Sequence, residues 1–161
     1  MEYRHLKPGY GSIEHVEIDF QPRCDDGTLA PDLNVVKWYE WLVDATQRAG
    51  KSLAYQHTTR QMLQAAGFVD IVEMVIRAPY NDWPMDPHLK DIGRWFNLGM
   101  TEGLEALSLG PLTRVYRWSP EAVRALIPGV AKEICSKRIH AYNNMYALHS
   151  LPVMVANTDF V

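Results

Sequence analysis

The chain has 161 residues, of which 47% are hydrophobic and 22% charged, and a formal net charge of −3. This length is typical of one domain, and the apolar fraction excludes a disordered chain. The weak negative charge argues against a nucleic-acid-binding surface, which needs clustered Lys and Arg. We therefore expect a single domain over residues 1–161 without a nucleic-acid partner.

The cysteines and the apolar runs indicate where the protein resides. Cys24 and Cys135 lie far apart and have no metal-ligand spacing, which favours a reducing compartment and predicts no metal site. The N-terminus lacks the apolar core of a signal peptide, and no apolar run approaches the roughly 20 residues of a membrane span. The sequence predicts a cytoplasmic protein without a membrane partner.

A strand and an amphipathic helix are the first clear elements in chain order. Residues 12–20 alternate between apolar and polar side chains, which predicts a strand with His15, Glu17 and Asp19 on its polar face. Residues 33–49 repeat apolar side chains every three or four positions. This spacing predicts a helix that packs through one face.

A second helix and a second strand follow. Thr58 and Gln61 have the spacing of a capping box, which predicts a short helix that ends at Ala66. Residues 68–76 are rich in β-branched side chains and apolar on both faces. They predict a strand in a sheet that is covered on both sides, and thus an α/β fold.

Two helices and one strand are predicted in the remainder of the chain. Asp86 and Pro87 supply an N-cap and a first-turn proline for a helix that continues to about Leu109. Three internal glycines mark close helix contact or a break: Gly93, Gly99 and Gly103. Residues 119–121 open another helix, which Pro128 and Gly129 are expected to kink or split. The segment 139–155 predicts one further strand and a tail.

Six groups of residues occur in a recognisable order between about residues 6 and 142. They are LKPG at 6–9 with IEHVE at 13–17, DDGTL at 25–29, AGFVD at 66–70, WPMDPHLKDIG at 83–93, WSPE at 118–121 and IHAY at 139–142. In this order they resemble the C-terminal half of fungal methyltransferases related to the secondary-metabolism regulator LaeA. Those proteins have the class I fold that binds S-adenosylmethionine.

The resemblance implies an α/β fold of a particular kind. It implies a truncated class I methyltransferase-like domain, with a small sheet of about three strands covered by four or five helices. In that family a Gly-rich loop and an acidic residue of the N-terminal half hold the cofactor. Neither is present in these residues, so the expectation is no cofactor, no cofactor-binding residue and no autonomous methyltransferase. The first strand would leave an open sheet edge, which predicts a homodimer through that edge.

His15, Glu17 and His140 are the candidate catalytic residues. His15 and Glu17 share one strand face with a spacing suited to acid–base or hydrogen-bonding chemistry. The alternative is a solvated polar face on a half-exposed strand. His140 precedes the last strand, where it would act as a base or donor, or else serve as a capping or core histidine.

Trp83, Trp118 and Tyr142 are the candidate substrate-binding residues. Their side chains offer flat apolar surfaces with polar tips that orient a small molecule. The alternative for each is ordinary packing in the core. Both tryptophans adjoin a proline at a loop-to-helix corner, where the resembling family places the helices that cover the substrate site.

A cofactor-independent cyclase or pericyclase of fungal secondary metabolism, of the Diels–Alder type, is the leading hypothesis for the function. Such an enzyme would hold a flexible apolar small molecule in an aromatic pocket. Orientation alone supplies up to about 7–11 kcal/mol in the best intramolecular cases, and aimed hydrogen bonds add about 3 kcal/mol. The alternatives are a non-catalytic pseudo-methyltransferase module that binds a partner protein, and a fragment of a true methyltransferase.

Overall fold

Three strands and four helices occupy residues 11–152, which are the residues that the computed structural model describes. They are β1 (Ile13–Arg23), α1 (Asn34–Arg48), α2 (Thr59–Ala65), β2 (Phe68–Pro79), α3 (Pro87–Arg114), α4 (Pro120–Ile134) and β3 (Tyr142–Pro152). The strands form one antiparallel sheet in the order β1-β3-β2. The predicted α/β architecture, with three strands and four helices, is confirmed. The matching segment at 6–9 and the tail at 153–155 lie outside the described residues.

The contacts between residues group the described chain into two units. Within residues 11–152, the first unit consists of 11–18, 55–76 and 145–152, and the second consists of 19–54 and 77–144. The first contains α2, and the second contains α1, α3 and α4. None of these helices combines the length and the hydropathy needed to cross a bilayer.

The core of the second unit lies where α1, α3 and α4 pack against one another. As the spacing predicts, α1 buries one face, formed by Val35, Trp38, Leu42 and Ala45. The indole N–H of Trp38 donates to Oγ of Ser108 over 2.8 Å, so this large buried ring keeps its hydrogen bond. The apolar stripe of the sequence thus becomes the central contact of the unit.

Side-chain caps form at two of the helix starts expected from the sequence, and the expected cap is missing at a third. Asp86 accepts from the backbone N–H of Leu89 over 2.8 Å, so the predicted N-cap is confirmed. Ser119 accepts from the backbone N–H of Ala122 over 3.1 Å and caps the helix that was predicted to open at 119–121. The capping box at Thr58 is wrong, because its side chain makes no capping bond. Thr58 has φ −85° and ψ −5°, whereas a capping side chain reaches its N–H from an extended backbone.

Two expectations about internal helix breakers have opposite outcomes. The split at Pro128 is wrong, because α4 runs as one helix from Pro120 to Ile134; proline keeps a helical φ and removes one hydrogen bond. Close contact at Gly93 is confirmed, since a Cβ there would lie 2.2 Å from the backbone oxygen of Asn81. At Gly99 a Cβ would meet no atom within 4 Å.

Strand β2 departs from the expectation that both of its faces are covered. Val72 is 63% exposed, and Val69, Met74 and Val75 are also exposed, so this part of the prediction is wrong. The physical reason is that the sheet is antiparallel, and an antiparallel sheet can leave a face uncovered, whereas a continuous apolar run is typical of a parallel sheet covered on both faces. The apolar cluster of the first unit instead comprises Tyr55, Leu63, Phe68, Tyr146 and Leu148.

Candidate functional site

Asp26 and His140 form the centre of a hydrogen-bond network in the second unit. Nδ1 of His140 lies 2.5 Å from Oδ2 of Asp26, and the backbone N–H of His140 donates to Oγ1 of Thr28 over 2.8 Å. The other carboxylate oxygen of Asp26 accepts from the Thr28 backbone N–H, the Thr28 hydroxyl and the Cys24 thiol, at 3.1, 2.8 and 3.0 Å. Both oxygens are engaged, which holds the carboxylate in one orientation.

A glycine-containing turn places the Thr28 groups beside Asp26. Gly27 has φ +77°, a left-handed conformation that glycine adopts at little cost. The turn brings the backbone N–H two residues after Asp26 back to the carboxylate, which is the usual role of aspartate in a turn. Thr28 therefore supplies two of the three hydrogen bonds to this carboxylate oxygen from within the turn itself.

Trp83 holds the imidazole ring from its face. The two rings stack with centroids 4.7 Å apart and planes 26° from parallel. The Trp83 indole N–H donates to the backbone oxygen of Ala141 over 3.2 Å, which anchors the tryptophan next to the histidine. We call Cys24, Asp26, Thr28, Trp83 and His140 the Asp26 cluster.

The hydrogen bonds of the Asp26 cluster also determine its charge. They hold the pKa of the Asp26 carboxyl well below its usual value, with the Cys24 thiol as the largest cause, then His140, then Thr28. The carboxylate is therefore ionised at neutral pH and acts only as an acceptor. Nδ1 of His140 must then carry the proton of this hydrogen bond, which leaves the lone pair of the neutral ring on Nε2.

We expect the variant Asp26→Asn to be less stable than the wild type at pH 7, and the difference to shrink in acid. The lowered folded-state pKa of Asp26 means that its contribution is present above the unfolded value near 3.8 and lost as the pH falls through the lower folded value. Urea midpoints at pH 7 and below pH 4 measure the difference. The exposed Asp32→Asn is the control, and an unchanged gap at low pH would contradict the assignment.

A second group of side chains is attached to the same loop through Asp25. Tyr142 donates its hydroxyl to Oδ1 of Asp25, and Nη1 of Arg77 donates to Oδ2, both over 2.8 Å. The Arg77 guanidinium also lies over the Tyr142 ring, 4.7 Å from its centroid. Burial, followed by the hydrogen bond to Asp25, raises the pKa of Tyr142. The predicted residue Tyr142 thus contacts the Asp25–Arg77 ion pair, and Asp25 is the sequence neighbour of Asp26.

In the first unit, His15 and Glu17 lie together at a surface pocket. Nε2 of His15 lies 3.2 Å from Oε2 of Glu17, and the pocket of about 270 Å³ is completed by Gln56, Thr59 and Met62. Both side chains are about one-third exposed, while the apolar Val16 between them is 51% exposed. The polar side chains of this part of β1 are therefore not simply its solvated face.

Asp19 differs from His15 and Glu17 because its side chain is buried. It lies in the second unit, is 4% exposed and accepts from Nη2 of Arg23 over 2.6 Å. Its other carboxylate oxygen accepts from the backbone N–H of Gln21. The third polar position of β1 is thus a buried, paired carboxylate with a structural role.

Trp118 is not part of either arrangement. Its ring meets Trp41 of α1 edge-on, with centroids 5.0 Å apart. A pocket of the second unit, of about 210 Å³, is lined by α1 and α3 residues together with Ala49 and Val115. Neither pocket described here is lined by Trp83, Trp118 or Tyr142. The structure joins Trp83 to His140, but it does not bring the three predicted aromatic residues to one described pocket.

The sequence did not single out the acidic members of the site. Asp25 and Asp26 belong only to the family segment at 25–29, and Arg77 belongs to no predicted motif. The turn-forming sequence Asp26-Gly27-Thr28 was the available signal, because such a turn commits a carboxylate to a fixed orientation. Its partner, His140, lies 114 residues away in the sequence, so no local pattern indicates that the two residues pair. Within residues 11–152, no group of three His, Cys, Asp or Glu residues is placed to hold a metal ion.

We compared the chain with protein-family models, solved structures and curated proteins to find its relatives. No protein-family model and no solved structure matches the chain. Secondary metabolism regulator LAE1 of Cochliobolus heterostrophus is 66% identical over 145 residues, which cover 89% of this chain and 47% of the relative. Secondary metabolism regulator laeA of Gibberella zeae is 40% identical over 145 residues, 89% of this chain and 46% of the relative.

A third relative is named for an enzymatic activity. Protein-methionine methyltransferase laeA of Chaetomium globosum is 43% identical over 141 residues, which cover 87% of this chain and 44% of the relative. The chain therefore spans slightly less than half the length of the curated relatives it matches. It is a homologue, over that part, of the LaeA-type regulators of fungal secondary metabolism.

Proposed function

We propose that the chain serves as one portion of a LaeA-type regulator of secondary metabolism with methyltransferase chemistry. The observation that carries the proposal is the 66% identity over 145 residues with LAE1 of Cochliobolus heterostrophus. The match includes nearly nine-tenths of this chain, so it extends over both described units rather than over one motif. The alternative of a methyltransferase fragment is thus better supported than the cyclase hypothesis.

The aromatic residues that suggested a cyclase are engaged in other contacts. Trp83 stacks on His140, Tyr142 donates to Asp25, and Trp118 packs against Trp41. A pericyclase would need such side chains to share one enclosed apolar surface that folds its substrate. The relatives are named as regulators or methyltransferases, so neither observation favours cyclase chemistry for this chain.

A chimeric regulator tests the proposal. The matched segment of Cochliobolus heterostrophus LAE1 would be replaced by the corresponding residues of this chain and expressed in a strain that lacks LAE1. We expect recovery of secondary-metabolite production, because two-thirds of the aligned positions are identical and core substitutions that conserve volume are tolerated. Metabolite profiles by mass spectrometry provide the measurement.

The control for this experiment is a second chimera that carries an unfolding substitution. Leu104→Ala removes a fully buried side chain of α3 and costs about 2–5 kcal/mol, so that chimera should not recover production. A folded chimera, present at normal abundance, that leaves the metabolite profile unrestored would contradict the proposed function.

A homodimer through the open edge of β1 remains a proposal of its own. β1 is an edge strand of the described sheet, and an unpaired edge presents free backbone groups to a second strand. The alternative occupant of this edge is a strand from the remaining portion of the proposed regulator. Light scattering of this chain at micromolar concentration distinguishes a dimer from a monomer.

A further inference from the structure

Within the Asp26 cluster, Nε2 of His140 is a nitrogen that the hydrogen-bond network leaves without a partner among the described residues. Nδ1 bonds to Asp26, and no other residue among those described makes a hydrogen bond to Nε2. The His140 side chain is 36% exposed, so a small molecule has access to the ring. Asp26, Thr28 and Trp83 together constrain its position and tilt. The arrangement is that of a base whose orientation is provided by a carboxylate.

We propose that His140 accepts a proton through Nε2 from the hydroxyl of a bound phenol, with Asp26 as the positioning residue. The O–H bond of the phenol breaks, its electron pair stays on oxygen, and a new N–H bond forms on the imidazole. The products are a phenolate and an imidazolium, and the imidazolium is paired with the Asp26 carboxylate. The step needs no further reactant.

The surroundings favour a phenol over an aliphatic alcohol. An imidazolium ordinarily has a pKa near 6.5, so neutral imidazole is a weak base that removes protons effectively only from groups that are fairly acidic, such as phenols. Trp83 stacks on the imidazole and is itself only partly buried, so aromatic surface lies beside the base. Such a flat apolar surface suits an aromatic ligand.

This site goes beyond the proposed function and does not rest on it. The side chain of methionine, which appears in the name of the Chaetomium globosum relative, is a thioether without an ionisable proton. Transfer of a methyl group to such a sulfur needs no base. A proton-accepting histidine therefore points to a ligand of a different chemical class.

Binding of 4-nitrophenol to the purified chain tests the inference, because only the ionised probe absorbs strongly in the visible range. At a pH where the free probe is half ionised, we expect added wild-type protein to increase the ionised fraction. His140→Phe keeps a ring to stack on Trp83 but removes both nitrogens, and should abolish this increase. Asp26→Asn should weaken binding at least tenfold.

Two further measurements separate a binding role from a structural one. His88→Gln, at an exposed histidine of α3, is the matched control and should behave as the wild type. Nitrogen-15 NMR should show His140 protonated on Nδ1 when neutral, with its Nε2 signal shifted by the probe. The inference is overturned if the wild type leaves the ionised fraction unchanged, if His140→Phe behaves as the wild type, or if neutral His140 is protonated on Nε2.

Discussion

The variant Gly93→Ala is expected to be destabilised by at least about 3 kcal/mol, which lowers the melting temperature by roughly 6–12 °C. An added Cβ would lie 2.2 Å from the backbone oxygen of Asn81 and 2.7 Å from its carbonyl carbon. Backbone atoms cannot rotate away as the end of a side chain does. Asn81 is itself held by hydrogen bonds from its side chain to the backbone oxygens of Ile134 and Ser136. Thermal unfolding followed by circular dichroism measures the effect.

Gly99→Ala, in the same helix, is the matched control for this prediction. A Cβ at Gly99 meets no atom within 4 Å, and the residue is exposed. Alanine is the better helix former by about 1 kcal/mol, so this variant should be as stable as the wild type or more stable. Equal losses in both variants would show that helix α3 does not approach Asn81 as closely as described.

Trp38→Ala is expected to cost about 3–5 kcal/mol, because it empties the largest fully buried position of α1. Trp38 is 1% exposed and contributes to the cluster in which α1, α3 and α4 meet. Its removal leaves a cavity and deletes the hydrogen bond to Ser108. Urea unfolding gives the change in the free energy of unfolding.

Two variants divide the expected loss at Trp38 into its causes. Trp38→Phe keeps an aromatic ring but loses the indole N–H, and should cost a smaller amount, about 1–3 kcal/mol. Trp95→Ala makes the same deletion in α3 at a side chain that is 75% exposed, and should change stability by no more than about 0.5 kcal/mol. Comparable losses at Trp38 and Trp95 would contradict the described core.

The sequence predicts elements well where the cause lies within a few residues. The apolar spacing of α1 and the caps at Asp86 and Ser119 depend on neighbours one to four positions away, and all three appear in the structure. The alternation along β1 likewise brings His15 and Glu17 to the same face. The outcome at Thr58 shows the limit of such signals, because the capping residues are present but the backbone is not extended there.

Local sequence patterns predict less well which faces of a strand are covered and which are exposed. The run at 68–76 has the composition of a strand that is buried on both faces, yet Val72 is 63% exposed. The composition of a segment indicates that a strand forms. Whether the faces of that strand are covered depends on which other elements pack against it. For the same reason, Val16 is exposed while Asp19, on the polar side of the pattern, is buried.

The amino-acid sequence by itself determined the α/β class, the order of the elements and the resemblance to LaeA-type proteins. Only the tertiary structure decided that Asp26 meets His140 and that Asp25 meets Tyr142, which are 114 and 117 residues apart. It also decided that Gly93 must lack a side chain. Local patterns follow from short-range sterics and hydrogen bonding, whereas these contacts exist only after distant segments have packed.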